Sequence, residues 1–202
     1  MHLKLIRRVI NHIELIILII LSYIFGINFI IRYLRNPNPS LSIKVIRYYG
    51  GKIGDGTSLK RGLQFDNVLI NEGGLGNFSN LKIGNNVYIG DNVYFDLADQ
   101  ITIEDDVVIS PHCNFTTHQN CENTSKLSKA FKIIKKPVLI KKGVWIATRA
   151  CIFYSTVNEN SLISANVVLI NDNIPPNVIV KSSTKIEIEE VRYESSNKIF
   201  KK

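Results

Sequence analysis

The sequence predicts an all-β fold, a solenoid of short parallel strands wound into triangular coils, preceded by an N-terminal apolar helix. Three observations predict it. An aliphatic or aromatic residue returns about every sixth position through Ile83, Ile89 and Phe95, slips by two, and continues through Ile103, Ile109 and Phe115. A second block keeps the beat in Ile140, Ile146 and Ile152, then comes one residue early at Val157 and runs on to Ile163. Small or turn-forming residues follow, as Gly54, Gly84 and Gly90 and as the pairs Asn85-Asn86, Asp91-Asn92 and Asp105-Asp106. Neither a helical period nor strict alternation gives this spacing. A six-residue unit of one flat strand plus a turn does, three units closing a coil. The recurring apolar side chain points into the prism and stacks on its counterparts above and below. The glycines and Asx residues read as turn positions that tolerate positive φ.

Residues 1–36 read as a membrane-associating helix. Leu3, Ile6, Ile10, Ile13 and Ile17 make one stripe, with Lys4, Arg7, Arg8, Asn11 and His12 off it. From Leu15 to Ile31 the chain is almost wholly apolar, and these seventeen residues are at the short limit for crossing a bilayer. No small-residue cleavage site follows, so an interfacial or re-entrant helix is expected ahead of a single span. A helix buried against the solenoid is the alternative. Asn36-Pro37-Asn38-Pro39-Ser40 cannot continue a helix, so residues 37–52 read as a linker and a short amphipathic element over the solenoid end. The solenoid occupies 53–180, irregular through Leu63, Phe65, Val68 and Ile70 and regular from Leu81. A polar, lysine-rich stretch at 119–136 interrupts the hexads as an inserted loop, of a length that usually serves a function. Residues 181–202 form a polar tail.

Composition narrows the partners. Net charge is +8, and the basic residues up to Lys60 face only Glu14 and Asp55. Cationic flanks around an apolar segment fit an anionic membrane surface, and no interleaved basic and aromatic motif points to nucleic acid. Cys113, Cys121 and Cys151 have no metal-ligand or CxxC spacing and read as reduced thiols, Cys113 in the core.

Four motifs carry a family resemblance: Ile83-Gly-Asn-Asn-Val-Tyr-Ile-Gly-Asp-Asn-Val, Val108-Ile-Ser-Pro-His-Cys-Asn-Phe-Thr-Thr-His118, Lys136-Pro-Val-Leu-Ile-Lys-Lys-Gly-Val-Trp145-Ile and Ile174-Pro-Pro-Asn-Val-Ile-Val. Through them, residues 53–186 resemble the hexapeptide-repeat acyltransferases, which fold as a left-handed parallel β-helix. The nearest look is to the maltose/galactoside and exopolysaccharide O-acetyltransferase branch. The resemblance implies acetyl-CoA as donor, a homotrimer with sites between subunits, and a glycan or lipid-linked sugar as acceptor. It places the general base at His118, a role that suits imidazole because its unperturbed pKa lies near neutrality. It sets Trp145 beside the donor, Ala147 and Ala165 along the pantetheine arm, and Lys185 near the nucleotide phosphates.

The chain departs from the family at Ala147-Thr148-Arg149-Ala150, where relatives carry a Gly-Ala-Gly run, and in the closing motif Lys181-Ser-Ser-Thr-Lys185. The asparagine that assists catalysis in the sugar branch aligns near Gly90, leaving Asn92 or Asp96 as substrate-binding candidates. His112 falls at a turn and reads as structural. A zinc-binding hydratase branch shares this fold but needs three histidines; beyond His112 and His118 the chain has only His2 and His12, in the apolar segment, so no metal is expected. Because the donor is cytoplasmic, the expected location is the cytoplasmic face of a membrane. An N-acyltransferase acting on a nucleotide sugar and a non-catalytic scaffold for membrane glycan assembly are the alternatives.

Overall fold

The computed structural model describes residues 2–121 and 126–182, with side chains described from Leu5 onward. Each hexad supplies a strand of two or three residues, and the strands stack into three parallel sheets that form the faces of a prism. The first face holds Lys52–Ile53, Leu81–Ile83, Ile101–Ile103, Val138–Ile140, Thr156–Val157 and Asn173–Ile174. The second holds Ser58–Leu59, Tyr88–Ile89, Val108–Ile109, Trp145–Ile146, Leu162–Ile163 and Ile179–Val180. The third holds Gln64–Asp66, Tyr94–Asp96, Asn114–Thr116, Cys151–Phe153 and Val168–Ile170.

The register explains both the regular beat and its slips. Ile53, Ile83, Ile103, Ile140, Val157 and Ile174 form one inward column. Leu59, Ile89, Ile109, Ile146, Ile163 and Val180 form the next, always six residues on. Phe65, Phe95, Phe115, Ile152 and Leu169 follow six residues later again. All variation in coil length therefore falls at the third corner, where the chain passes from the third face back to the first. That corner carries the excursion 67–80, the short turn 97–100 and the long loop between Thr116 and Val138.

The interior is close-packed along the third column, where Phe65, Phe95 and Phe115 stack with centroids 5.6 and 5.5 Å apart and Phe78 meets Phe65 edge-on at 5.0 Å. Phe95 touches a ring on both sides and is 1% exposed. Truncating Phe95 to alanine removes one ring from the middle of that stack, and urea titration should show about 3–5 kcal/mol lost.

Two expectations about local structure are corrected. Gly54, Gly84 and Gly90 do not adopt positive φ; the left-handed positions are Gly56, Asn86, Asp106, Gly143, Asn160 and Asn177 at the first corner, and Gly62, Asn92, His112, Arg149 and Asn166 at the second. The first three are glycine for space, since a Cβ on Gly90 would lie 2.7 Å from the Pro111 nitrogen of the next coil. Ile70 is not in the core: it starts a 3₁₀ turn over Ile70–Glu72 and is largely exposed, while its neighbour Val68 is fully buried. Strand propensity yields here to the excursion at the third corner.

The N-terminal segment is two helices rather than one. Helix α1 runs His2–Phe25, Gly26 breaks it at φ 71, and α2 continues Ile27–Tyr33. Ile30 of α2 and the following Leu34 are fully buried with Leu41, Val45 and Ile46, the last two on α3, Ser42–Tyr48. These two shorter helices cap the first coil, so the apolar run from Ile27 belongs to the protein core. Of the three described helices, α1 leaves an apolar face uncovered, through Ile6, Ile10, Ile13, Ile17, Ile20 and Ile24. It is held along its other side: Tyr33 Oη donates to Glu14 Oε1 at 3.1 Å, Asn38 Nδ2 to Glu14 Oε2 at 2.8 Å, and Ser22 bonds Tyr49.

Candidate active site at the third corner

The third corner brings together residues that are far apart in sequence. Each coil delivers its last third-face residue to the same edge, so Asp96 lies beside the turn that follows Phe115, and His118 stands two residues past the strand end. The backbone of His118 is fixed by an antiparallel pairing of His118–Gln119 with Ile134–Lys135, which closes the base of the inserted loop. Lys136 N adds a bond to Thr117 O at 2.9 Å.

Asp96 is 0% exposed and its carboxylate is saturated. Oδ2 accepts from Thr117 N at 2.8 Å, His118 N at 3.0 Å and His118 Nδ1 at 2.6 Å. Oδ1 accepts from Asn67 Nδ2 at 2.8 Å and Ala98 N at 3.1 Å. Burial would push this carboxyl up, but the His118 hydrogen bond and the backbone donors of Ala98 and Thr117 outweigh it and hold the group below its ordinary value. An ionised carboxylate only accepts, so Nδ1 of His118 carries a hydrogen, and in the neutral imidazole the lone pair is on Nε2. The 3.5 Å approach of Asn67 Nδ2 to the same Nδ1 sets two donors together and is not a hydrogen bond. With 31% of its side chain exposed, the His118 ring is held in one orientation through Nδ1 and stays accessible from solvent.

The substrate-binding expectation for Asp96 is corrected: no surface of it is left for an acceptor, and its place is behind the imidazole. Asn92, the other candidate, stands at the second corner in a left-handed turn (φ 56), on a different edge from His118. His112 occupies the same column at φ 63, a structural place. Asparagine adopts this conformation more readily than histidine, so His112→Asn should raise stability by about 0.5–1 kcal/mol in chemical denaturation and leave activity intact.

Trp145 lies on the second face, half exposed, and its Nε1 donates to Ser110 Oγ at 3.0 Å. Ala147 follows on the same rung, its N–H on Ile163 O at 2.8 Å, and Ala165 is exposed at the second corner. One chain thus keeps the Trp145–Ala147–Ala165 strip and His118 on separate parts of the prism. Lys185 lies outside the described residues. Cys113 is buried, and burial pushes its thiol up to about 11, so it stays protonated in the core. No group of three potential metal ligands occurs among the described residues.

Sequence reasoning missed Asn67 and Ser110. The coil count carried a usable signal for the first contact shell: Phe95 and Phe115 are partners one coil apart, which sets Asp96 level with Thr116. Asn67 comes from the excursion at the third corner, whose path no periodicity describes.

No protein-family model matches the chain, and no curated protein sequence matches it. Solved structures do. A hexapeptide-repeat containing acetyltransferase from Vibrio cholerae complexed with acetyl coenzyme A superposes at a TM-score of 0.61, with 22% identity over 79% of this chain and 82% of that one. A maltose O-acetyltransferase from Clostridium difficile superposes at 0.55, with 21% identity over 73% of this chain and 75% of that one. An N-acyltransferase from Bacillus cereus in complex with dTDP and coenzyme A reaches 0.50, at 16% identity over 63% and 66% of the two chains. The polypeptide thus adopts the left-handed β-helix of the hexapeptide-repeat acetyltransferases, the fold that its hexads announce.

Proposed function

We propose that this chain is an acetyl-CoA-dependent O-acyltransferase that acetylates a hydroxyl of a glycan or lipid-linked sugar at the cytoplasmic face of a membrane. The observation that carries the reading is the buried Asp96 carboxylate 2.6 Å from His118 Nδ1, which leaves Nε2 as a base at the mouth of the inserted loop. In this reading Nε2 takes the proton of the acceptor hydroxyl as the oxygen bonds to the thioester carbonyl carbon. The carbon–sulfur bond then breaks, and the coenzyme A thiolate leaves and takes up a proton. The fold shared with an acetyltransferase solved with acetyl coenzyme A and an N-acyltransferase solved with coenzyme A supports the donor class.

The donor strip and the base lie on separate parts of one prism, which favours a homotrimer in which one subunit's His118 meets another's Trp145. Exposed apolar side chains on the outer faces, Val108, Trp145 and Ile179 on the second and Val168 and Ile170 on the third, support such burial. Trp145 is the single tryptophan, so its fluorescence reports the donor site directly. Acetyl-CoA titrated into the full-length protein in non-ionic detergent should change that fluorescence saturably; an unchanged spectrum together with no heat of binding would overturn the reading.

Membrane attachment rests on α1. Leu5–Phe25 has a mean hydropathy of 1.8 over its most apolar stretch, with only 11% of it buried. In this reading the helix lies in the interface with its isoleucine face toward lipid, a posture supported by the bonds of Glu14 and Ser22 that tie its other side to the protein. Ile10→Glu/Ile17→Glu alters two exposed positions and should move the protein from the membrane to the soluble fraction on flotation. Unchanged flotation would count against attachment through this face.

A further inference from the structure

A second polar site lies on the first coil beside the second face, away from the third corner. A cleft of about 400 Å³ opens between the proline linker and the first coil, with Pro37 and Pro39 on one wall and Ser58, Lys60 and Arg61 on the other. Gly62 N bonds Arg35 O at 2.8 Å, which fixes the linker to the coil and keeps the cleft's shape. Ser42 lines it from the start of α3; its side chain is 1% exposed, and its Oγ is the buried side-chain oxygen without a hydrogen-bond partner among the described residues. A buried hydroxyl left unpaired costs stability, and in a native structure it points to a missing partner.

The charges of the cleft say what that partner carries. Lys60 Nζ stands 5.4 Å over the Tyr88 ring, and neither it nor the Arg61 guanidinium is paired with a carboxylate among the described residues. Asp91 is the one acidic residue lining the cleft, and its Oδ1 is occupied by the Arg61 backbone N–H at 3.2 Å. Two cations and the hydroxyls of Ser42 and Ser58 thus line the cleft with one partly engaged carboxylate, while the third hydroxyl, Thr57 Oγ1, is taken up by Gly84 O and Val87 N. Arginine and lysine beside hydroxyl donors form the donor set that recognises phosphate oxygens. The volume suits a substituted phosphate rather than a bare water.

We propose that this cleft binds a phosphate ester, as a phosphate or diphosphate group held by Lys60, Arg61, Ser42 and Ser58. Two sources share that chemistry: the headgroup of an anionic or sugar-bearing lipid, and a soluble phosphate compound. The cleft is next to the linker residue Asn38, whose amide reaches Asn11 and Glu14 of α1, so the site sits beside the helix assigned to the membrane. The proposal does not depend on acyl transfer, and its test uses binding alone.

The test compares the full-length protein with Lys60→Gln/Arg61→Gln and with an equal-charge control on the first face, Lys52→Gln/Lys82→Gln. In one arm pyrophosphate is added during thermal unfolding. In the other, sedimentation measures binding to phosphatidylcholine vesicles with and without phosphatidylglycerol. A pyrophosphate-dependent rise in Tm that the cleft variant loses and the control keeps supports a soluble phosphate source. An anionic-lipid affinity that falls about tenfold further in the cleft variant than in the control supports a headgroup source. If the cleft variant matches the control in both arms, the proposal is overturned.

Discussion

Replacing His118 by alanine should lower kcat by about 10²–10⁴-fold while the coil remains folded. The effect is large because Nε2 is the acceptor through which the proposed reaction removes the hydroxyl proton. The fold survives because the residue is held by its backbone: its N–H bonds Asp96 at 3.0 Å, and the pairing with Lys135 uses main-chain groups. Asp96 loses the Nδ1 donor but keeps its four other hydrogen bonds. Circular dichroism and Tm should therefore change little while thiol release from acetyl-CoA collapses. If Tm fell along with kcat, the loss would instead report misfolding of the loop base.

Asp96→Asn should cost both stability and rate. Five N–H donors converge on the carboxylate, and an amide of the same size offers one oxygen and turns an NH₂ group toward the remainder. Because the site is fully buried, at least two donors would be left unpaired, at a cost of about 3 kcal/mol or more. Activity should fall toward that of His118→Ala, since an imidazole without its carboxylate is no longer held in the tautomer with a free Nε2. The pH dependence has a definite sign. The folded-state pKa of Asp96 is lowered, so its stabilisation is complete at neutral pH. It is lost as pH falls from the ordinary carboxyl range near about 4 through the folded value. Urea midpoints measured against pH should show this acid loss in the wild type and a shallower one in Asp96→Asn.

The hexad beat was readable because two corners of every coil are invariant; six residues always separate the first column from the second and the second from the third. The slips at Ile103 and Val157 were equally informative, since they mark the corner that changes length. Periodicity could not show why Gly84 and Gly90 are glycine, because the need comes from the next coil's backbone, about twenty residues away in sequence. It also could not divide the apolar N-terminal run. Gly26 ends α1, and burial of Ile30 and Leu34 against the first coil is a tertiary fact with no local signature.

The candidate site was readable in part. His118 stood out by its place before the loop, but the role of Asp96 required knowing that the two coils are in register at Phe95 and Phe115. As a motif residue, Asp96 looked like a surface carboxylate available to a sugar; in the fold it is a buried group with five donors that stands behind His118. Trp145 was readable by its motif, and its bond to Ser110 was not, because the two are joined only through the stacking of Val108 and Trp145 on one face.

The measurement that tests the central claim most directly is transfer of a labelled acetyl group from acetyl-CoA to membrane-extracted glycolipids by the full-length protein in detergent. The account predicts label in the glycolipid with one thiol released per acetyl transferred, both abolished in His118→Ala. Saturable donor binding without any transfer to that panel, or transfer at the wild-type rate by His118→Ala, would contradict it.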